Sequence, residues 1–205
     1  MKNGLRSLLL ATFLSLPLAA PFAALAGPTP EATIETLNAG LLQAMSQPEG
    51  GGYQARFDRL DPLMQTTFDY PHMAQIAVGK YWNDFSEAEQ SRYLDLFSDV
   101  SVAAAANRFR EHSGVAFEIT GMREGPQGAK LVDTLLTVNQ GEPRKISYLV
   151  RETSPGDWRA IDVYYNASIS ELATKRSEYT SVIKMQGTDA LLDILQKKLA
   201  DYAKE

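Results

Sequence analysis

The spacing of apolar residues changes period twice along this chain, and that change constrains the fold more than any other feature. Up to about residue 110 apolar side chains recur every three to four positions, as on one face of a helix. From Val115 to Tyr165 they alternate or run continuously, as in strands, and after Ile169 the helical spacing returns. The strand block is punctuated by Gly125-Pro126-Gln127-Gly128, Asn139-Gln140-Gly141 and Ser154-Pro155-Gly156-Asp157. Such turns are too short for crossover helices, so four strands joined this way form an antiparallel meander. Helices segregated around an antiparallel sheet make an α+β domain.

The helical segments carry their own start and stop signals. Thr29-Pro30-Glu31 combines a capping hydroxyl, a proline at the first helical position and an early carboxylate, and Ile34, Leu37, Leu41 and Met45 follow at helical spacing. Pro48 and Gly50-Gly51-Gly52 end that helix. Phe57, Leu60, Leu63 and Met64 mark a second, which Asp61-Pro62 is predicted to break and restart. Tyr70-Pro71 opens a third, with Met73, Ile76, Ala77 and Tyr81 expected on its buried side. Ser86-Glu87-Ala88-Glu89 is a capping box. It starts the longest predicted helix, with Tyr93, Phe97, Val100 and Ala104 on one stripe, an alanine run over 103–106 and a stop at Ser113-Gly114. After the strands, Ile169, Leu172, Arg176, Tyr179 and Ile183 share one face of a helix, and Leu192, Leu195, Leu199 and Tyr202 one face of another.

Residues 1–26 read as a secretory signal: Lys2 and Arg6, an apolar stretch over 8–18 broken by Pro17, and a small-x-small site at Ala24-Leu25-Ala26. Residues 27–205 are then one domain, long enough to bury a real core. Two of the 20 basic residues lie in the leader and all 25 acidic residues lie beyond it, so the exported chain carries a net charge of −7. That charge argues against a nucleic-acid binder, which needs a basic footprint, and against tight adhesion to anionic lipid. The chain contains no cysteine, so packing alone holds it together and thiolate chemistry is excluded.

No catalytic or metal-binding motif is present, and no cofactor is expected. The two histidines, His72 and His112, lack partners at ligand spacing. Asp69, Asp162 and Glu171 are the carboxylates that could serve acid–base chemistry. Asp69 reads better as a helix cap, and Asp162 as a strand residue facing a helix or turn. Arg176 falls in phase with an apolar stripe, which leaves it a choice between a solvated face and a buried role. The inward strand positions Ile146, Tyr148, Val163 and Tyr165 fit a solid core as well as a pocket wall.

Two segments carry a family resemblance. One is Phe68-Asp69-Tyr70-Pro71-His72-Met73-Ala74 with Val78-Gly79-Lys80-Tyr81-Trp82. The other is Trp158-Arg159-Ala160-Ile161-Asp162-Val163-Tyr164-Tyr165-Asn166, leading into Ile169-Ser170-Glu171-Leu172. Together they resemble the periplasmic MlaC-like and toluene-tolerance lipid-binding proteins, and within them the hopanoid-associated HpnM branch, whose pattern Ser113-Gly114 and Asn166-Ala167-Ser168 also match. The resemblance implies helices packed on a curved four-stranded antiparallel sheet that encloses an apolar pocket. It implies a monomeric, non-enzymatic carrier of a phospholipid or hopanoid-type lipid, working between an inner-membrane ABC-type complex and an outer-membrane lipoprotein/porin complex. The pocket is expected to draw on Phe68, Met73, Ile76, Tyr81, Phe97, Val100, Ile146, Tyr148, Val163, Tyr165, Ile169 and Leu172, with Ile169 at its rim. Two other readings stay open: an adaptor of a membrane complex with a filled interior, and a hydrolase or isomerase using Asp69 or Asp162.

Overall fold

A computed structural model describes residues 28–46, 52–110, 114–166 and 168–204. The expected leader, Gly50-Gly51, His112 and Ser113 lie outside them. Four helices come first: α1 (Pro30–Met45), α2 (Tyr53–Thr67), α3 (Tyr70–Val78) and α4 (Glu87–Arg108), with a 3-10 segment at Gly79–Asp84 before α4. Strands β1 (Val115–Glu124), β2 (Lys130–Val138), β3 (Arg144–Ser154), β4 (Asp157–Tyr165) and β5 (Ile169–Ser170) pair in sequence order, each antiparallel to the next. Helices α5 (Glu171–Gln186) and α6 (Thr188–Tyr202) close the chain. The sheet thus has five strands where four are predicted, because Ile169 and Ser170 pair with Tyr165 and Tyr164 before α5 begins.

The predicted caps form. Thr29 Oγ1 accepts from the Ala32 amide at 3.2 Å. The Ser86 amide donates to Glu89 at 2.7 Å while the Ser86 hydroxyl accepts from the Glu89 amide at 3.3 Å, closing the capping box. Two expectations fail locally. Pro62 lies inside an unbroken α2, where the carbonyl it leaves unpaired, on Asp58, sits on an exposed face open to water. Helix α4 ends at Arg108 instead of running to Ser113-Gly114, because Phe109 turns out of helical geometry and packs on Phe117 of β1 at 5.9 Å.

Three carboxylates fasten the fold: Asp69 and Asp162 tie helices to the sheet, and Asp133 ties three strands to one another. Asp69 caps α3 through the His72 amide at 3.2 Å and accepts from Arg151 of β3 at 2.8 Å, while its own amide donates to the Ala160 carbonyl of β4 at 3.0 Å. Asp162 of β4, 5% exposed, accepts from the Leu172 amide at 3.0 Å and the Ser170 hydroxyl at 2.6 Å. Asp133 of β2 accepts from the Ser147 hydroxyl at 2.5 Å, and Arg123 and Lys145 lie 3.1 and 3.0 Å from it. Charge-assisted bonds of this kind are worth more than neutral ones where solvent is scarce.

Two predictions follow from these anchors. Asp162→Ala should lower unfolding free energy by about 2 kcal/mol, since it strips the start of α5 of its acceptor; urea unfolding showing a loss below about 0.5 kcal/mol would contradict the anchoring role. Burial raises the Asp133 carboxyl, but hydrogen bonds from Ser147, Arg123 and Lys145 outweigh that and hold it below the usual carboxylate range. The stability it contributes is therefore complete above about pH 4 and lost as pH falls through its lowered value. Asp133→Asn should be less stable at neutral pH and lose less on acidification from pH 4 to 2.

Candidate functional site

A cavity of about 530 Å³ lies between the helices and the concave face of the sheet. Leu37 and Leu41 of α1, Met64 of α2 with Phe68, and Tyr70 and Met73 of α3 form one side. Leu136, Ile146, Tyr148, Val163 and Tyr165 form the sheet side, where Ile146 pairs with Tyr165 and Tyr148 with Val163 across β3 and β4. The third side is a stripe of α4 at i, i+3, i+4, i+7: Ser101, Ala104, Ala105 and Arg108. Three of those four side chains are too small to reach the sheet, and the space follows from that. Native interiors hold few voids larger than a water, so a cavity in the size range of ligand sites is a candidate binding site.

Exposed residues mark the mouth: Arg108 at the end of α4, Arg144 at the start of β3 and Asn166 at the end of β4. The start of α5 adds Glu171 and, one turn on, Lys175, which pair at 3.2 Å. Arg108 donates to the Tyr165 hydroxyl at 2.7 Å and stands over its ring at 5.3 Å. Lys175 has a side chain only 14% exposed. Burial pushes its ammonium down, but Tyr179 and Glu171 push harder the other way, and it sits above its ordinary value as a persistent cation. Tyr70 is 3% exposed and its hydroxyl has no partner among the described residues.

Six of the twelve residues proposed for a pocket line this cavity: Phe68, Met73, Ile146, Tyr148, Val163 and Tyr165. The other six do not. Phe97 and Val100 are each 1% exposed within the solid core, where Phe97 packs against Tyr70, Tyr93 and Tyr179. Leu172 is buried in the same core and Ile76 packs half-buried against it. Tyr81 falls in the 3-10 segment, because Gly79 at φ +56° ends α3 and breaks the helical phase; it lies under Lys80 at 5.1 Å in a shallow surface cleft. Ile169 is 55% exposed on β5, outside the cavity lining.

Sequence reasoning missed Leu37, Leu41, Met64, Tyr70, the α4 stripe and the charged mouth. The alanine run at 103–106 was the available signal for the stripe: small residues on a helix whose other positions are bulky leave room. Arg176 is exposed, and Lys175, one position earlier, is the cation that faces inward. Asp69 and Asp162 are absent from the lining: Asp69 caps α3, and Asp162 accepts from the Ser170 hydroxyl and the Leu172 amide at the start of α5.

Tyr70→Phe should stabilise the ligand-free protein by about 1 kcal/mol, since it removes a buried hydroxyl that has no partner. Thermal unfolding of delipidated protein that showed a loss would mean the hydroxyl is hydrogen-bonded.

A family model described as MlaC protein matches residues 35–197. Among solved structures, the phospholipid-binding protein from Ralstonia solanacearum, in complex with a phospholipid, is 23% identical; the match covers 84% of this chain and 97% of that one, with a TM-score of 0.73. At that identity the likeness is one of fold. No curated protein matches the chain. The family match runs from the first turns of α1 into α6 and so takes in every wall of the cavity: the chain belongs to the MlaC family.

Proposed function

We propose that this protein is a periplasmic lipid carrier that holds a phospholipid or a hopanoid-type lipid, acyl or ring portion inward, in the cavity between α1, α3, α4 and the sheet. The observation that carries the reading is the apolar cavity of about 530 Å³ in a chain of the MlaC family. The phospholipid complex of the Ralstonia protein, which shares the fold, supports it. Residues 1–26 act as the export signal and 27–205 as the carrier domain. No helix among the described residues is long and apolar enough to cross a membrane, which suits a protein that works between membranes. The MlaC family and the HpnM-like segments suggest exchange with an inner-membrane ABC-type complex and an outer-membrane lipoprotein/porin complex.

The physics makes such a carrier necessary. Each methylene moved from a bilayer into water costs about 0.8 kcal/mol, so two ordinary acyl chains cost on the order of 25 kcal/mol. A cavity walled by leucine, methionine and aromatic side chains replaces one apolar environment with another and removes most of that barrier. No acid–base chemistry is needed, and the carboxylates best placed in sequence for it are committed elsewhere, Asp69 to the cap of α3 and Asp162 to the Ser170 hydroxyl and Leu172 amide. The adaptor reading requires a filled interior, which the cavity speaks against.

Native mass spectrometry of protein purified from the periplasm, followed by lipid extraction, tests the proposal. Near one lipid per protein is expected, and Ala104→Phe, which projects a ring into the cavity, should reduce that occupancy several-fold while the protein stays folded by circular dichroism. Wild-type protein that carries no lipid and takes none from vesicles would overturn the carrier reading.

A further inference from the structure

The cavity mouth has the opposite charge to the protein. The chain as a whole is −5, yet the cavity is lined by Arg108, Arg144, Lys145 and Lys175 against the single carboxylate of Glu171. Lys145 is compensated by Asp133 at 3.0 Å, and Lys175 shares Glu171 at 3.2 Å. Arg108 and Arg144 have no carboxylate partner among the described residues. Arg108 is also held in place, by the Tyr165 hydroxyl at 2.7 Å and the Tyr165 ring beneath it.

Strand register puts these groups at one end of the cavity. Arg144 lies two positions from Ile146, which pairs with Tyr165, and the Asn166 amide donates to the Lys145 carbonyl at 2.9 Å. Glu171 follows directly on Ser170, which pairs with Tyr164, and Lys175 sits one turn further along α5. A lipid with its chains inward therefore presents its headgroup to two arginines with no carboxylate partner among the described residues and to a lysine whose side chain is largely withdrawn from water. The bland account of Arg108, a cation complementing the C-terminal end of α4, explains neither Arg144 nor the buried Lys175.

We propose, resting on the carrier reading, that this cationic collar selects the cargo by headgroup charge, so that net-anionic phospholipids are taken in preference to zwitterionic phospholipids and to uncharged ring lipids. A phosphodiester is common to the first two classes. What separates them is the ammonium of the zwitterionic headgroup, which meets Arg108, Arg144 and Lys175 as a like charge. An uncharged lipid offers the two arginines no anionic group.

The test is a competition. Delipidated full-length mature protein is mixed with vesicles containing equal amounts of phosphatidylglycerol and phosphatidylethanolamine with matched chains, plus a hopanoid alcohol, and the bound lipids are identified by native mass spectrometry. The readout is the ratio bound, not the amount. About tenfold preference for phosphatidylglycerol is expected, equivalent to 1.4 kcal/mol. That preference would run against the repulsion between an acidic protein and an anionic vesicle surface. The Arg108→Gln/Arg144→Gln pair, both exposed, should bring the ratio towards one, and Lys175→Met with Glu171→Gln should lower it without leaving the half-exposed Glu171 carboxylate unpaired. A wild-type ratio equal to the supplied ratio overturns the proposal, as does a variant that loses lipid at an unchanged ratio. A wild-type protein that binds none of the three lipids instead overturns the carrier reading on which the proposal rests.

Discussion

The Asp162 carboxylate is the constraint on which the site depends. It sits on β4 at 5% exposure and takes hydrogen bonds from the Leu172 amide and the Ser170 hydroxyl, and from the Val163 amide at 2.7 Å. A buried carboxylate left without donors carries a desolvation penalty of several kcal/mol, so the start of α5 cannot drift without leaving an ion unsatisfied. Fixing that start fixes the helical phase. Leu172 and Tyr179 turn into the core, Glu171 and Lys175 into the cavity wall, and Arg176 to solvent. Asp162 thus couples the sheet to the start of α5 and fixes where Glu171 and Lys175 stand at the mouth.

The cavity exists because core and pocket share α4 and divide it by residue size. On one flank Tyr93 and Phe97 interlock with Phe85 and Tyr179, with ring centroids 5.4 to 6.5 Å apart, and the Tyr93 hydroxyl closes on the Ala74 carbonyl at 3.1 Å. That aromatic block is solid. One turn further on, Ser101, Ala104 and Ala105 present almost no bulk, and β3 and β4 cannot move in to meet them. Asp69 prevents it from the far side, since its bonds to Arg151, His72 and Ala160 tie the α2–α3 junction to both strands. A rigid frame around a run of small side chains is a direct way to keep an interior space that does not collapse.

Much of this was legible in the sequence, and the failures have physical causes. The change of period gave the α+β order, and local chemistry gave the caps at Thr29, Ser86 and Asp69. The fifth strand escaped notice because two residues are too few to establish alternation. The cavity lining was half legible, because hydrophobic periodicity says that a residue points inward and not whether something meets it there. Phe97 and Val100 are as apolar as any pocket residue and are packed solid; Ala104 is small and lines the space. Tyr81 was misplaced because helical phase was carried through Gly79, whose positive φ ends it. Lys175 and Arg176 differ by a single step of 100° around α5, and the apolar stripe alone could not say which of them turns inward.

A carrier of this kind must discriminate where its apolar surface cannot. Acyl chains passing from a bilayer to a cavity of leucine, methionine and aromatic side chains exchange like for like, so the burial of chain length contributes little net preference among lipids. A headgroup passing from an interface crowded with water and ions to a fixed set of side chains does not exchange like for like. In a carrier of the kind proposed, whatever groups stand at the mouth therefore set which lipid is held, and the apolar interior sets only that a lipid is held at all. In this chain the groups at the mouth are Arg108, Arg144 and the Lys175–Glu171 pair, a positive patch on a negative protein. The division also serves release. On the proposed carrier reading, a cavity that gains little over the bilayer can hand its chains on, and exposed arginines screened by solvent would hold a headgroup weakly enough to let go.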